Sequence, residues 1–328
     1  MNNTYQLVRQ SAALFDFSAD GRFFLQGAGA EEAVNAIIAA DLETTRELKA
    51  LNTLLLAEDG SITAILWVLK SEDGIWVLCD AKQRSIVGSA LNAAALNHNV
   101  ECQDRTESTT CLVIIGPAAQ EIAMTAAGED IIGIPYLGLE PNTQTNSLLC
   151  RLGYTGEFEY RFITERARAS ELENQLLTAG SSQGLERGDL SVLPLLMLEM
   201  RSLDQNTHIP SGISPIEAGL HWMVSFKKDA FPGREAIMTR KISPVEKALI
   251  LILDGDVAPT TDVPVLIENN AVGRCVYLAQ SPTLGKTIAL AYVQADLAWV
   301  GVIFEVTGQD ARAVSAPLFI TKTVTAGR

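Results

Sequence analysis

Apolar runs of strand length alternate with amphipathic runs of helix length over the first part of the chain. The segment 31–42 predicts a helix, because Val34, Ile37 and Ile38 recur at the spacing of one helical face. The segment 52–80 predicts three consecutive strands, because two turns that each contain Asp-Gly separate its apolar runs. The other predicted elements are a strand at 23–27, a helix at 83–96, a strand at 110–116, a helix opened by Pro117, strands within 147–163 and a helix at 165–179.

The pattern changes near Pro244, where we expect a domain boundary. From about Val245 onward, short apolar runs follow one another with no helical segment between them. Strands at this spacing predict a small antiparallel barrel or sandwich. A Rossmann sheet is excluded for this part, because its parallel strands need helical crossovers.

Composition and charge narrow the class of protein. The 328 residues are 48% hydrophobic and 20% charged, as in ordinary globular proteins. The net charge of −14 argues against both a nucleic-acid partner and an anionic membrane surface, which attract Lys and Arg. Five scattered cysteines without a CxxC pair argue against a disulfide framework. We see no signal peptide and no membrane-spanning run, so we expect a cytoplasmic protein.

Two familiar ligand motifs are incomplete. Gly27 and Gly29 lie between a predicted strand and helix, but Glu32 occupies the third glycine position of a dinucleotide loop and would face a pyrophosphate. The three histidines show no metal-ligand spacing, so we expect no metal site.

Four longer strings carry more information. They are RLGYTGE at 151–157, SPIEAGLHW at 214–222 after Leu198-Glu199, KDAFPGREA at 228–236 and SPTLGKTIALAYV at 281–293. Related strings at 14–18 and 58–62 extend the pattern over nearly the whole chain. Together, in this order, they resemble the aminomethyltransferase (T-protein) family of the glycine cleavage system.

The resemblance implies an α+β architecture. Two intertwined α/β subdomains, residues 1–240, would form a central folate-type pocket, and an antiparallel β-barrel, residues 245–328, would close over it. In the family, tetrahydrofolate lies in this pocket, and the enzyme moves an aminomethyl group from a carrier protein onto folate with release of ammonia. The resemblance therefore implies tetrahydrofolate as cofactor, and a small-molecule substrate and a carrier protein as partners.

The chain departs from the family where the chemistry would take place. Ala64 and Ile65 stand where the family pattern continues with two acids after the turn at 58–62, and isoleucine cannot transfer a proton. Arg161 stands where relatives hold the pterin with a glutamate, and a guanidinium has only donors to offer. If the register is shifted, Glu159 takes the place assigned to Arg161.

Other polar residues are expected in the same pocket. Asn52 stands in place of a tyrosine of many relatives, and Leu193 in place of an arginine. Asp20 and Asp80 are the candidates for acid–base catalysis, with solvated surface acids as the alternative. The candidates for binding substrate or folate are Asn52, Ile65, Tyr154, Glu157, Arg161, Glu199 and Arg201. For Tyr154 and Glu157, a packing role in a glycine-containing turn is the alternative.

Three functions remain open on this basis. The first is a transferase of aminomethyl or methyl groups that uses folate, with acid–base duty moved to Asp20 or Asp80. The second is a family member recruited to a different, anionic small molecule in a biosynthetic pathway, with Arg161 binding the anion in a bidentate manner. The third is a non-catalytic binding protein with the folate fold.

Overall fold

Two β-sheets and one closed β-barrel carry the fold of this computed structural model, which describes residues 3–255, 257 and 262–323. The helices are α1 Asn3–Gln10, α2 Ala30–Ile37, α3 Arg84–Asn97, α4 Ala119–Ala127, α5 Ala169–Ala179, α6 Leu193–Glu199, α7 Gln205–His208 and α8 Arg234–Ile242. The strands before the barrel are β1 Ala13–Asp16, β2 Gly21–Gln26, β3 Lys49–Leu56, β4 Ile62–Ser71, β5 Gly74–Cys79, β6 Glu101–Asp104, β7 Thr109–Ile115, β8 Leu139–Asn142, β9 Ser147–Arg151, β10 Glu159–Glu165 and β11 Glu186–Arg187.

The two sheets are interleaved along the chain. One sheet has the order β11-β1-β7-β10-β9-β8 and the other the order β3-β4-β5-β2-β6. The chain therefore leaves the first sheet after β1, builds the whole second sheet, and returns at β7. This connectivity confirms the expected pair of intertwined α/β subdomains.

The sheets face each other across a shared apolar layer. Phe15 and Val113 of the six-stranded sheet pack in one cluster with Trp67 and Leu69 of the five-stranded sheet. Helices α2 and α3 cover the outer face of the five-stranded sheet, and α4 and α5 cover that of the six-stranded sheet. Every residue of β7 is consequently buried, which explains its continuous apolar run.

Six antiparallel strands form the barrel, as predicted. They are β12 Glu246–Leu253, β13 Val263–Ile267, β14 Asn270–Ser281, β15 Lys286–Gln294, β16 Ile303–Val306 and β17 Gln309–Val314, closed in the order β12-β15-β14-β13-β16-β17. Two of its hairpins have two-residue loops, Glu268-Asn269 and Thr307-Gly308. All four loop residues have positive φ, from 51° to 77°. Loops of this kind match the right-handed twist of the strands they join.

Some helix boundaries differ from the sequence prediction. The predicted helix 31–42 ends at Ile37, because the Lys228 ammonium donates to the carbonyls of Asn35, Ile38 and Ala40 and holds the chain out of the helix. The helix predicted at 165–179 begins at Ala169, because β10 runs on to Glu165. The Pro117 helix begins at Ala119.

A buried ion-pair cluster joins distant segments. The Arg9 guanidinium on α1 donates to a Glu157 carboxylate oxygen at 3.1 Å and to a Glu199 carboxylate oxygen at 2.7 Å. Glu199 also accepts hydrogen bonds from Tyr5 at 2.7 Å and from Ser281 of the barrel at 2.6 Å. The cluster therefore connects the N-terminal helix, the turn after β9, helix α6 and the barrel.

We expect Arg9→Met to lower the free energy of unfolding by about 3–5 kcal/mol, because Glu157 and Glu199 would remain buried without their cation. Urea unfolding measures the loss. The matched control is Arg168→Met at an exposed pair with Glu171, which should cost less than about 1 kcal/mol. Equal losses for the two variants would contradict the structural importance of the cluster.

Candidate functional site

A cavity lies between the two sheets, and we call it the central cavity. Its walls come from β4, β5, β7, β10, α6 and the adjoining loops, and no barrel strand contributes to them among the described residues. The expected pocket is therefore present, but the lid role given to the barrel does not apply to this cavity. The wall residues are Phe17, Asp20, Ile65, Trp67, Leu78, Cys79, Asp80, Ile115, Tyr154, Thr155, Glu159, Arg161, Leu193, Met197, Leu203, Asp204 and Gln205.

Strand alternation directs two ionisable side chains of β10 into the cavity. Successive side chains of a strand point to opposite faces. Tyr160 and Phe162 pack in the core beneath α4 and α5, so Glu159 and Arg161 face the other sheet. Glu159 is 4% exposed and Arg161 is 5% exposed.

Glu159 fixes the turn before β10. One of its carboxylate oxygens accepts hydrogen bonds from the backbone N–H groups of Tyr154 and Thr155 and from the Thr155 hydroxyl, each at 2.8 Å. These bonds hold the Tyr154 ring 5.1 Å from the Trp67 ring. Burial raises the pKa of Glu159. This carboxylate oxygen is therefore occupied by the turn. Arg161 is the other ionisable side chain of β10 in this wall of the cavity.

A second cavity, which we call the outer cavity, shares Ile65, Trp67, Tyr154 and Leu203 with the central cavity. Its remaining wall residues are Leu51, Asn52, Tyr136, Leu137, Gly153, Ser202, Leu220, Trp222 and Met223. Tyr136 is 57% exposed and Trp222 is 60% exposed. The outer cavity therefore extends the central cavity toward solvent along an aromatic wall.

The Asp20 carboxyl has a pKa far from its ordinary value. Burial raises the pKa of Asp20 to about 7, against the opposing attraction of the Arg161 charge; the neighbouring Asp80 carboxylate raises it further. Asp80 begins the turn after β5, where its carboxylate accepts the Lys82 N–H at 2.8 Å. A carboxyl with a pKa near neutrality can hold or release a proton at physiological pH.

Ile65 leaves no acid at its position in β4. Its backbone N–H donates to the Gln205 side-chain oxygen at 2.7 Å, and the Gln205 amide donates to the Thr63 carbonyl at 2.6 Å. The Gln205 side chain thus pairs with the backbone of β4 beside the cavity. The Ile65 side chain presents only carbon to the cavity.

The structure brings together some of the predicted site residues and separates others. Asp20, Asp80, Ile65, Tyr154 and Arg161 share the central cavity, and Asn52 lies in the outer cavity. The others lie elsewhere: Glu157 and Glu199 in the ion-pair cluster, and Arg201 beside the barrel. Asn52 donates to the Leu66 carbonyl at 3.1 Å.

Several wall residues were missed from sequence. Trp67 follows Ile65 by two residues in β4 and therefore lies on the same face, so strand alternation could have identified it. Phe17, Asp204 and Gln205 lie in a loop or at the start of α7, where no periodicity marks an inward direction.

Family models identify the class of protein. Residues 1–228 match the GCVT N-terminal domain, and residues 247–319 match the glycine cleavage T-protein C-terminal barrel domain. The chain belongs to this aminomethyltransferase (T-protein) family. Family membership supports a role in one-carbon group transfer.

Individual relatives agree over nearly the full length. The aminomethyltransferase of Streptomyces coelicolor is 30% identical, with 94% of this chain and 85% of that protein covered. That of Streptomyces avermitilis is 28% identical, with 95% and 87% covered. A crystal structure of glycine cleavage system aminomethyltransferase T from Bartonella henselae superposes with a TM-score of 0.88 at 21% identity, over 97% of this chain and 89% of that chain, which establishes the same fold.

No helix within the described ranges is long and apolar enough to cross a membrane. The same residues contain no group of three or more His, Cys, Asp or Glu side chains arranged to hold a metal ion.

We expect the change in the free energy of unfolding caused by Asp20→Asn to be more favourable at pH 8 than at pH 5. A raised pKa means that the folded state binds the proton more tightly, so the stability that protonated Asp20 contributes is lost as pH rises from about 4 through about 7. The difference between the two pH values should reach at most about 2.5 kcal/mol, because at pH 5 the carboxyl is already mostly ionised in the unfolded chain.

Urea unfolding at both pH values measures this difference, and exposed Asp229→Asn serves as the control. An Asp20→Asn effect that is independent of pH, like that of the control, would contradict the raised pKa.

Proposed function

We propose that this protein transfers an aminomethyl or methyl group with tetrahydrofolate, bound in the central and outer cavities. The observation that carries the proposal is a carboxyl of near-neutral pKa, Asp20, in the cavity of a chain that belongs to the T-protein family. In the proposed division, residues 1–240 form the folate-binding region and residues 245–328 form the barrel domain.

The wall residues fit a reduced pterin. Trp67 and Tyr154 provide aromatic faces against which a flat ring can pack. Asp20 and Asp80 provide carboxylate oxygens, which are the acceptors that the N–H donors of a pterin require. These two acids would take over the pterin contact that relatives assign to the position of Arg161.

The chain's own contribution to the reaction is proton transfer and exclusion of water. Tetrahydrofolate, when bound, supplies the amine that takes up the one-carbon unit. Asp20 would donate its proton to the leaving amine as the bond between that amine and the one-carbon group breaks, and would take up the proton that the accepting amine loses, so that no net proton is consumed at this carboxyl. Asp80 disfavours the ionised form of Asp20 and so keeps the proton available before the step. Ile65 and Trp67 keep the reacting region apolar, which strengthens the charge interactions there.

The carrier protein proposed as a partner would deliver its group through the outer cavity. Tyr136 and Trp222 line that cavity and are the exposed aromatic side chains at its opening. Exposed aromatic residues are common at protein interfaces, because they offer a large apolar area with few rotatable bonds.

We expect tetrahydrofolate, or its 5-methyl or 5-formyl form, to bind with measurable heat in calorimetry. Trp67→Leu should weaken that binding roughly three- to tenfold, because it removes one aromatic face while keeping an apolar side chain. Trp299→Ala, an exposed tryptophan near the barrel, is the control and should leave the affinity unchanged. No heat with any of the three folates would remove the proposed function.

We expect Asp20→Asn to lower turnover at least about 100-fold, because the amide cannot exchange the proton. Folate affinity should change little, since the amide oxygen still accepts a hydrogen bond. Rates of aminomethyl transfer from a carrier protein, measured between pH 5 and pH 9, should show an ionisation near pH 7 in the wild type that is missing in the variant. Full activity of Asp20→Asn would assign the proton transfer to another group.

A further inference from the structure

Three arginines are buried in the described part of the chain, and the terminal nitrogens of two of them donate to oxygen atoms of the protein. Arg9 pairs with Glu157 and Glu199. Arg22 donates to five backbone carbonyls and to a threonine hydroxyl at distances of 2.7–3.1 Å. In both cases the protein itself supplies the oxygen atoms that accept hydrogen bonds from a buried guanidinium with a structural role.

The third, Arg161, differs from them. Its guanidinium has neither an ion pair nor a hydrogen bond to an oxygen atom within the ranges that the structure describes, and its Nε is buried without a partner. The group lies 5.0 Å from the Phe17 ring, with the Cys111 thiol and the Tyr154 hydroxyl as neighbouring groups and with Asp20 and Glu159 as the nearby acids, neither of which forms a direct ion pair with it. A buried charge is costly unless it is paired. The missing partner is therefore expected to be a ligand.

We propose that Arg161 binds a carboxylate group of the small-molecule substrate in the central cavity. The proposal rests on the proposed function only in placing the substrate in this cavity. A guanidinium is a planar fork of donors that matches the two oxygens of a carboxylate and forms paired hydrogen bonds with them. Pairing in this way would supply the direct ion pair that no described carboxylate makes with this guanidinium.

A second wall residue points to the same chemistry. The indole N–H of Trp67 is also buried without a hydrogen-bond partner, and it belongs to the opposite sheet. Two donors without acceptors in the walls of one cavity call for a ligand that brings acceptor oxygens. An amine or a purely apolar ligand would leave both donors unsatisfied.

The remaining charges favour a carboxylate over a phosphate. Asp20, Asp80 and Glu159 line the same cavity. A phosphate carries close to two negative charges at neutral pH and would be repelled by these carboxyls more strongly than a singly charged carboxylate. The same acids can attract an amine elsewhere on the substrate, as one-carbon transfer requires.

The test measures the melting temperature of the full chain with acetate, glycine or succinate, and with inorganic phosphate at matched ionic strength. A ligand that binds only the folded state raises the melting temperature in proportion to the logarithm of its concentration. We expect at least one carboxylate to stabilise the wild type more than phosphate does, and Arg161→Gln to abolish the effect. Arg161→Lys should retain a weaker effect, because the ammonium keeps the charge but loses the fork.

The matched control is Arg168→Gln, an exposed arginine outside the cavity, which should respond to carboxylates as the wild type does. The proposal is overturned if none of the carboxylates stabilises the wild type, if phosphate stabilises it equally, or if Arg161→Gln keeps the full response.

A second readout uses no ligand. Because no described carboxylate forms a direct ion pair with Arg161, Arg161→Met should melt at the same temperature as the wild type or a few degrees above it, as when a functional charge is replaced by an apolar group of similar length. Arg9→Met provides the contrast and should melt well below the wild type. A large loss of stability in Arg161→Met, or its failure to fold, would show that Arg161 is structural and would overturn the proposal.

Titration of the same variants with tetrahydrofolate separates the two proposals. Folate binding without an Arg161-dependent carboxylate effect would remove this inference and leave the proposed function. A carboxylate effect that depends on Arg161, without folate binding, would support this inference and remove the folate part of the proposed function.

Discussion

The buried pairing of Arg9 with two glutamates is the constraint on which the rest of this architecture depends. It joins helix α1, the turn that carries Tyr154, helix α6 and the barrel. These segments are up to 278 residues apart along the chain, in the case of the hydrogen bond between Tyr5 and Thr283. Breaking a buried pair leaves an uncompensated charge, so these segments are held in one arrangement. Two of these segments, the turn that carries Tyr154 and helix α6, form part of the walls of the central cavity. The shape of the cavity therefore depends on this cluster.

The central cavity combines apolar, basic and acidic side chains in one lining. Ile65 of β4 is apolar and Arg161 of β10 is basic. Asp20 and Asp80 come from loops, and Glu159 comes from β10. One fold can host several activities, so the activity of this chain depends on these side chains and not on the fold alone.

Strand and helix patterns were sufficient to predict the barrel, the three-strand unit of β3 to β5 and the covering helices, because hydrophobic period reports directly on burial. Boundaries that depend on distant partners were not predictable. The end of α2 is set by Lys228, nearly two hundred residues away. In the site, the alternation of side chains along β10 predicts that Arg161 and Tyr160 point to opposite faces of the sheet, as the structure has them. The separation of Glu157 and Glu199 from the cavity follows from Arg9, whose partners no local pattern indicates.

The closure of the barrel has a consequence for how other proteins can approach this end of the molecule. Unpaired strand edges let a second chain extend a sheet through main-chain hydrogen bonds. In the described barrel, β12 pairs with β17 as well as with β15, so each strand has a neighbour on both sides. Any partner that docks here must therefore recognise side-chain shape and charge, and its specificity can be altered by surface substitutions without disturbing the backbone beneath.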